Sequence, residues 1–120
     1  MTAVDLEFLR APASADLEID IRVRARMSIT AFTAQRKVSR LVLERVSNLL
    51  CGVEPTLLVG DRVCWRVPVW LGFPTKGLVG KVGELDVDVE TGEILFDQPM
   101  LEEISERADV LARRTLSAPA

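Results

Sequence analysis

The 120-residue chain reads as an α+β domain, an antiparallel β-sheet with one long helix and a C-terminal helix packed on it, in the order β-α-β-β-β-β-α. Three observations predict this. Apolar and charged residues alternate over 17–26 and 84–90, and over 63–71 Val63, Trp65, Val67, Val69 and Leu71 recur at every second position, which is strand period. Apolar residues recur at three- and four-residue steps over 31–49 and 101–115, which is helix period. Short turn sequences join the later strand runs directly, which favours antiparallel pairing with the helices on one face of the sheet.

In chain order, residues 1–16 are weakly patterned and broken by Ala11-Pro12-Ala13-Ser14-Ala15, so a weakly ordered arm is expected. Leu17, Ile19, Ile21, Val23 and Ala25 alternate with Glu18, Asp20, Arg22, Arg24 and Arg26, predicting the first strand of a single domain over 17–116. Ser28 or Thr30 offers an N-cap for the long helix. Its buried stripe is Ala31, Ala34, Val38, Leu41, Val42, Val46 and Leu49, with Gly52 as the C-terminal stop. Arg36, Arg40 and Glu44 are i, i+4 neighbours on the opposite face, so one ion pair can form there. Leu57-Leu58-Val59 is a short strand and Gly60-Asp61-Arg62 a turn. Val63, Trp65, Val67, Val69 and Leu71 form the next strand, with Pro68 placing it at an edge or a bulge. The glycine-rich stretch 72–83 reads as a mobile loop. Leu85, Val87 and Val89 then lead through Thr91-Gly92 to Ile94-Leu95-Phe96, a hairpin with Gly92 at positive φ. Pro99 opens the last helix, whose buried stripe is Leu101, Ile104, Ala108, Leu111 and Thr115. Residues 117–120 form a frayed tail.

Composition narrows the function. Histidine and tyrosine are absent, which removes imidazole bases, histidine metal ligands and tyrosine acids. The chain is 48% apolar with a mean hydropathy of +0.21, so it folds rather than staying disordered. No apolar run reaches the ~18 residues of a membrane span. The first ten residues carry Asp5 and Glu7 and no basic segment ahead of an apolar run, which argues against a signal peptide and for the cytoplasm. Cys51 and Cys64 are too few for a disulfide framework and read as small buried residues.

Net charge is −3, but it is unevenly spread. Residues 28–52 sum to +3 and 53–83 to +2, whereas 84–106 hold nine acids and no base. Glu84, Asp86, Asp88 and Glu90 put four carboxylates on one strand face. A calcium loop starting at Asp86 fails, since its glycine position is Thr91 and its twelfth position is Asp97. Neither a phosphate-binding loop nor a nucleophile elbow is present, so no catalytic residue, no metal and no cofactor is expected. Arg36, Lys37 and Arg40 form a candidate basic patch, but a pI of 5.0 argues against nucleic acid. Trp65 and Trp70 are five apart and point to opposite sheet faces. One is core, and the other belongs to an apolar patch of Trp70, Leu71 and Phe73 with Lys76 beside it, the expected partner-binding site.

The run Val87-Asp88-Val89-Glu90-Thr91-Gly92-Glu93-Ile94-Leu95 resembles the closing hairpin of PepSY-type modules, roughly V-D-x-x-T-G-E-[IV]-[LVI]. The likeness extends in outline over 28–96. It implies a helix on a short antiparallel sheet ending in this hairpin, no catalytic residue, and a role in restraining peptidases or sensing ligands. The expected function is a small non-catalytic protein-binding domain acting as a homodimer. The alternatives are an antitoxin-like regulator covering a basic toxin with its acidic 84–106 surface, and a carboxylate-based or metal-dependent enzyme.

Overall fold

The computed structural model describes residues 4–5, 18, 20, 22 and 24–117. It shows an α+β fold with an antiparallel sheet and two helices: β1 (Val4–Asp5), α1 (Ala31–Arg45), β2 (Leu50–Gly52), β3 (Thr56–Val59), β4 (Cys64–Phe73), β5 (Gly77–Asp88), β6 (Ile94–Leu95) and α2 (Gln98–Ser117). The sheet order is β1-β3-β4-β5-β6, with β2 also paired to β4. Both helices lie on one face. Ala34, Val38 and Val42 of α1 share a core with Leu101, Ile104 and Ala108 of α2 and with Val67, Val69, Leu71, Leu85 and Val87 of the sheet.

Several expectations are corrected. Of the segment read as a first strand over 17–26, Glu18, Asp20, Arg22 and 24–26 lie in no strand, and its other residues fall outside the described ones. Alternation marks an amphipathic face but does not supply a pairing partner, and β4 already has neighbours on both sides. In the predicted arm, Val4–Asp5 pair with Val59 and Leu58 of β3. The tail beyond Ser117 lies outside the described residues.

Helix α1 is capped by Thr30, whose hydroxyl accepts from the Thr33 N–H. It ends at Arg45 rather than running to Leu49, because Ser47 turns the chain: its hydroxyl accepts from Leu49 N–H and its carbonyl from Leu50 N–H. Gly52 is therefore not a helix stop. It sits in β2 where a Cβ would meet Val67 Cγ1 at 2.8 Å and the Gln35 carbonyl oxygen at 3.1 Å. Its N–H donates to Ser39 Oγ (2.8 Å) and its carbonyl accepts from Gln35 Nε2 (3.2 Å), so α1 closes the outer side of β2.

Pro68 is neither at an edge nor at a bulge. Strand β4 is central, and Pro68 falls at the gap where its neighbour changes from β3 to β2. The Pro68 carbonyl accepts from Val53 N–H, so the missing amide hydrogen also faces that gap and removes no ladder bond to β5.

The expected loop over 72–83 is mostly strand. Only Pro74–Lys76 turns, with Gly77 at φ 72°, and β5 then runs twelve residues. Opposite the ten residues of β4, Val79 and Val82 are the extra ones, each making a bulge. Gly80 and Gly83 oppose Leu71 and Val69 and face α2, where a Cβ would meet Leu111 at 2.8 Å and Ile104 at 2.6 Å. Three strand residues and seven helix residues each span roughly 10 Å, so α2 runs along β5, directly over it and in the opposite direction.

Candidate functional site

The expected partner site divides between two layers. Leu71 is 2% exposed and belongs to the core, so it offers nothing to a partner. Trp70, the adjacent residue, points to the face away from α1 and α2, helix-free among the described residues, and is half-buried opposite Cys51 and Lys81. Phe73 is half-buried against the core edge, and Lys76 is exposed with its ammonium 3.4 Å from the Thr115 carbonyl. The sequence reading missed Leu78, which is 55% exposed at the start of β5. With Phe73, Pro74 and Leu49 it lines an open cleft of about 360 Å³ at the β4–β5 tip. Its signal was hidden because the stretch read as a glycine-rich loop. Trp65 takes the core side, donating from Nε1 to the Ile29 carbonyl (3.2 Å).

The acid ladder is paired rather than solvated. Arg66 binds Asp86 through two parallel bonds of 2.9 and 3.0 Å and reaches Glu84 at 3.5 Å, while Lys81 meets Glu84 at 3.0 Å. Asp88 is 5% exposed. Its Oδ1 accepts from the N–H groups of Glu90 (2.8 Å) and Thr91 (3.0 Å), and its Oδ2 faces Arg62 at 3.5 Å. The Thr91 N–H above all holds this carboxyl below its ordinary range, against burial. Asp88 thus organises the hairpin turn, where Gly92 has φ 75° as its sequence requires. Glu90 alone of the four is exposed, and it accepts from Arg26 N–H. Among the described residues no group of three or more acids, cysteines or histidines is placed to hold a metal.

The basic patch lies on the outer side of α1. Arg36 stacks over Phe32 at 5.7 Å, Arg40 pairs with Glu44 at 3.0 Å as expected, and Lys37 donates to the Gly92 carbonyl. The last bond ties α1 to the hairpin. Cys51 and Cys64 are free and share the face away from α1 and α2, but Cys51 lies opposite Trp70, six residues along β4 from Cys64, roughly 20 Å. Burial pushes the Cys64 thiol up, with Asp86 and Asp88 adding to it. Among the described residues no helix is long and apolar enough to cross a membrane.

One further feature was not anticipated. The Pro68 and Gly72 backbone groups point to β2 and its flanks, so by alternation Val67, Val69 and Leu71 point to β5. Their partners Leu85, Gly83 and Gly80 face β4, and the backbone groups of Glu84, Lys81 and Leu78 face outward. Strand β6 pairs only with Asp86 and Val87. Among the described residues, nothing bonds to the outer edge of β5 from Leu78 to Glu84. Beside it a groove of about 370 Å³ opens under α2, with Ile104 and Met100 inside and Lys81, Glu84, Glu103 and Arg107 around them.

No protein-family model, curated protein or solved structure matches the chain.

Proposed function

We propose that this chain is a small non-catalytic protein-binding domain that forms a homodimer through the β4–β5 tip. The observation that carries the reading is the exposed Leu78 beside Phe73 and Pro74, an apolar cleft at the end of the longest hairpin. Trp70 on the helix-free face and Lys76 at the turn flank it, so the contact joins the tip to the adjoining sheet face. Leu71 supports this surface from beneath without touching a partner. The likeness of 87–95 to the PepSY hairpin supports a binding role of the same kind.

The carboxylates lend less support to the alternatives. Asp86, Asp88 and Glu84 are engaged by arginine, lysine or backbone donors, and Glu103 by Arg107 at 2.5 Å. These are structural partnerships. An enzyme reading needs two such groups free in one cleft. A toxin-covering reading needs the acids on one face, yet they divide between the helix-free sheet face, the hairpin turn and α2.

Sedimentation equilibrium of the wild type, Leu78→Asp and Trp70→Ala tests the reading. The wild type should be dimeric, and Leu78→Asp monomeric with an unchanged far-UV spectrum. A wild type that stays monomeric at every concentration rejects the homodimer. A dimer indifferent to both substitutions moves the contact elsewhere.

A further inference from the structure

We infer that the outer edge of β5 and the groove under α2 form a strand-addition site for an extended peptide segment of a partner protein. This rests on the protein-binding reading and names a second surface and its ligand chemistry. Among the described residues, several other edge positions are closed. Strand β1 pairs with β3, Gln35 and Ser39 of α1 satisfy Gly52 of β2, and β6 covers the last residues of β5. Among the described residues, the backbone from Leu78 to Glu84 presents unpaired N–H and C=O groups at Leu78, Lys81 and Glu84. Such a row is satisfied by another β-strand, and the neighbouring groove then takes alternate side chains.

The geometry decides what kind of strand fits. A second copy pairing β5 to β5 across a two-fold axis would put both α2 helices over adjacent strands, about 5 Å apart, whereas packed helices need about 8–10 Å. The close seats of Ile104 on Gly83 and Leu111 on Gly80 fix α2 in that position. A peptide without a helix of its own meets no such obstacle. Its side chains on the helix face enter the groove beside Met100 and Ile104, so these positions should be apolar.

The other face sets the charge pattern. Lys81 and Glu84 point to the helix-free face, and the bulge at Val82 sets them opposite positions two apart on a neighbouring strand, as Trp70 and Pro68 of β4 show. An antiparallel ligand therefore places a base opposite Glu84 and, two residues later, an acid opposite Lys81. The preferred segment reads basic–apolar–acidic within an alternating strand.

The probes are two synthetic nonapeptides with the same alternating valine and threonine frame. One carries central Arg-Val-Asp and the other Asp-Val-Arg. Binding is followed by amide NMR and hydrogen exchange on the full chain. The Arg-Val-Asp peptide should bind about three- to tenfold more tightly. It should newly protect the amides of Leu78, Lys81 and Glu84 but leave those of Gly80 and Gly83, already bonded to β4, as they were. The double variant Lys81→Glu, Glu84→Lys should invert the preference. If neither peptide binds, if protection does not alternate, or if the preference survives the swap, the inference is overturned. Those failures leave the tip dimer standing, because Leu78 meets the peptide only through its backbone, whereas sedimentation of the Leu78→Asp variant reads its side chain in the tip cleft.

Discussion

Gly83→Ala separates the strand that the fold shows from the loose loop that composition suggests. A Cβ at position 83 would lie 2.6 Å from Ile104 Cγ1 and 3.2 Å from its Cδ1. Carbon–carbon contacts settle near 3.5–4.0 Å, so α2 must move by about 1 Å or Ile104 must leave its rotamer. Ile104 is buried in the core shared by both helices, so neither response is free. Overpacking of this kind costs about 1–3 kcal/mol. Replacing glycine in the unfolded chain returns about 0.4–1 kcal/mol, leaving a net loss of about 1–2 kcal/mol. Urea denaturation followed by circular dichroism should therefore show a midpoint lowered by about 1 M at unchanged slope. Ile104→Ala alone should cost about 2–5 kcal/mol by opening a cavity. In that background, Gly83→Ala should cost nothing or add stability, because the new methyl enters vacated space. The coupling between the two sites is then about 1–3 kcal/mol. A Gly83→Ala protein as stable as the wild type, or one whose loss persists without Ile104, would refute the docking of α2 on β5.

Other perturbations test the remaining contacts. Gly92→Ala should destabilise by about 1–2 kcal/mol because φ 75° is left-handed, and Gly92→Asn should lose less; thermal melts of the pair check this. Asp88→Asn should be less stable than the wild type at neutral pH. Asp88 is held below its ordinary value, so its ionised form is favoured by folding; this contribution is complete above about pH 4 and fades as pH falls through the lowered native value. Melting midpoints of the two proteins should converge on acidification, and a gap that stays constant to low pH would remove the charge from the account. A disulfide-exchange reagent should react with the half-buried Cys51 first and with buried Cys64 only as fast as the sheet opens. Cys51→Ser should leave a single slow phase that accelerates in urea, and an equally fast second thiol would contradict the burial of Cys64.

The helices were legible because their signals are local. Thr30 caps α1, Asp97 caps α2 by accepting from Met100 N–H, and the stripes Ala34, Val38, Val42 and Leu101, Ile104, Ala108 are buried as their spacing requires. The hairpin was legible because Thr91-Gly92 allows few alternatives. What could not be read depends on partners distant in sequence. Gly52 reads as a helix stop and Gly80 and Gly83 as loop residues until a helix is placed on them, and then each is where a helix lies close against the sheet. Pro68 looks like an edge marker until the break between β3 and β2 is known. Of the candidate site, Trp70 and Phe73 were legible from hydrophobicity, but the assignment of Leu71 required knowing which face α1 and α2 cover. The open edge of β5 was invisible, because it depends on how few residues β6 contributes.

The charge polarity changes meaning on folding. Nine acids between 84 and 106 look in sequence like a single negative surface. In the fold, Glu84 meets Lys81, Asp86 meets Arg66, Asp88 meets Arg62 and Glu103 meets Arg107. Asp97 faces the first turn of α2 and Glu90 the Arg26 amide. The bases for the sheet pairs come from 53–83, the segment whose excess of positive charge appeared to be a separate pole. Four of the nine acids thus meet a base, three of them on the sheet, where the two poles neutralise each other, and exposed charges beyond them are screened within about 8–10 Å at physiological salt. Long-range attraction then contributes little to partner choice. Discrimination must come at contact distance, from apolar fit at Leu78 and Phe73 and from the direction and spacing of backbone hydrogen bonds along β5. A partner selected this way should bind with a weak salt dependence, in contrast to the steep dependence that an acidic surface recognising a basic protein would show.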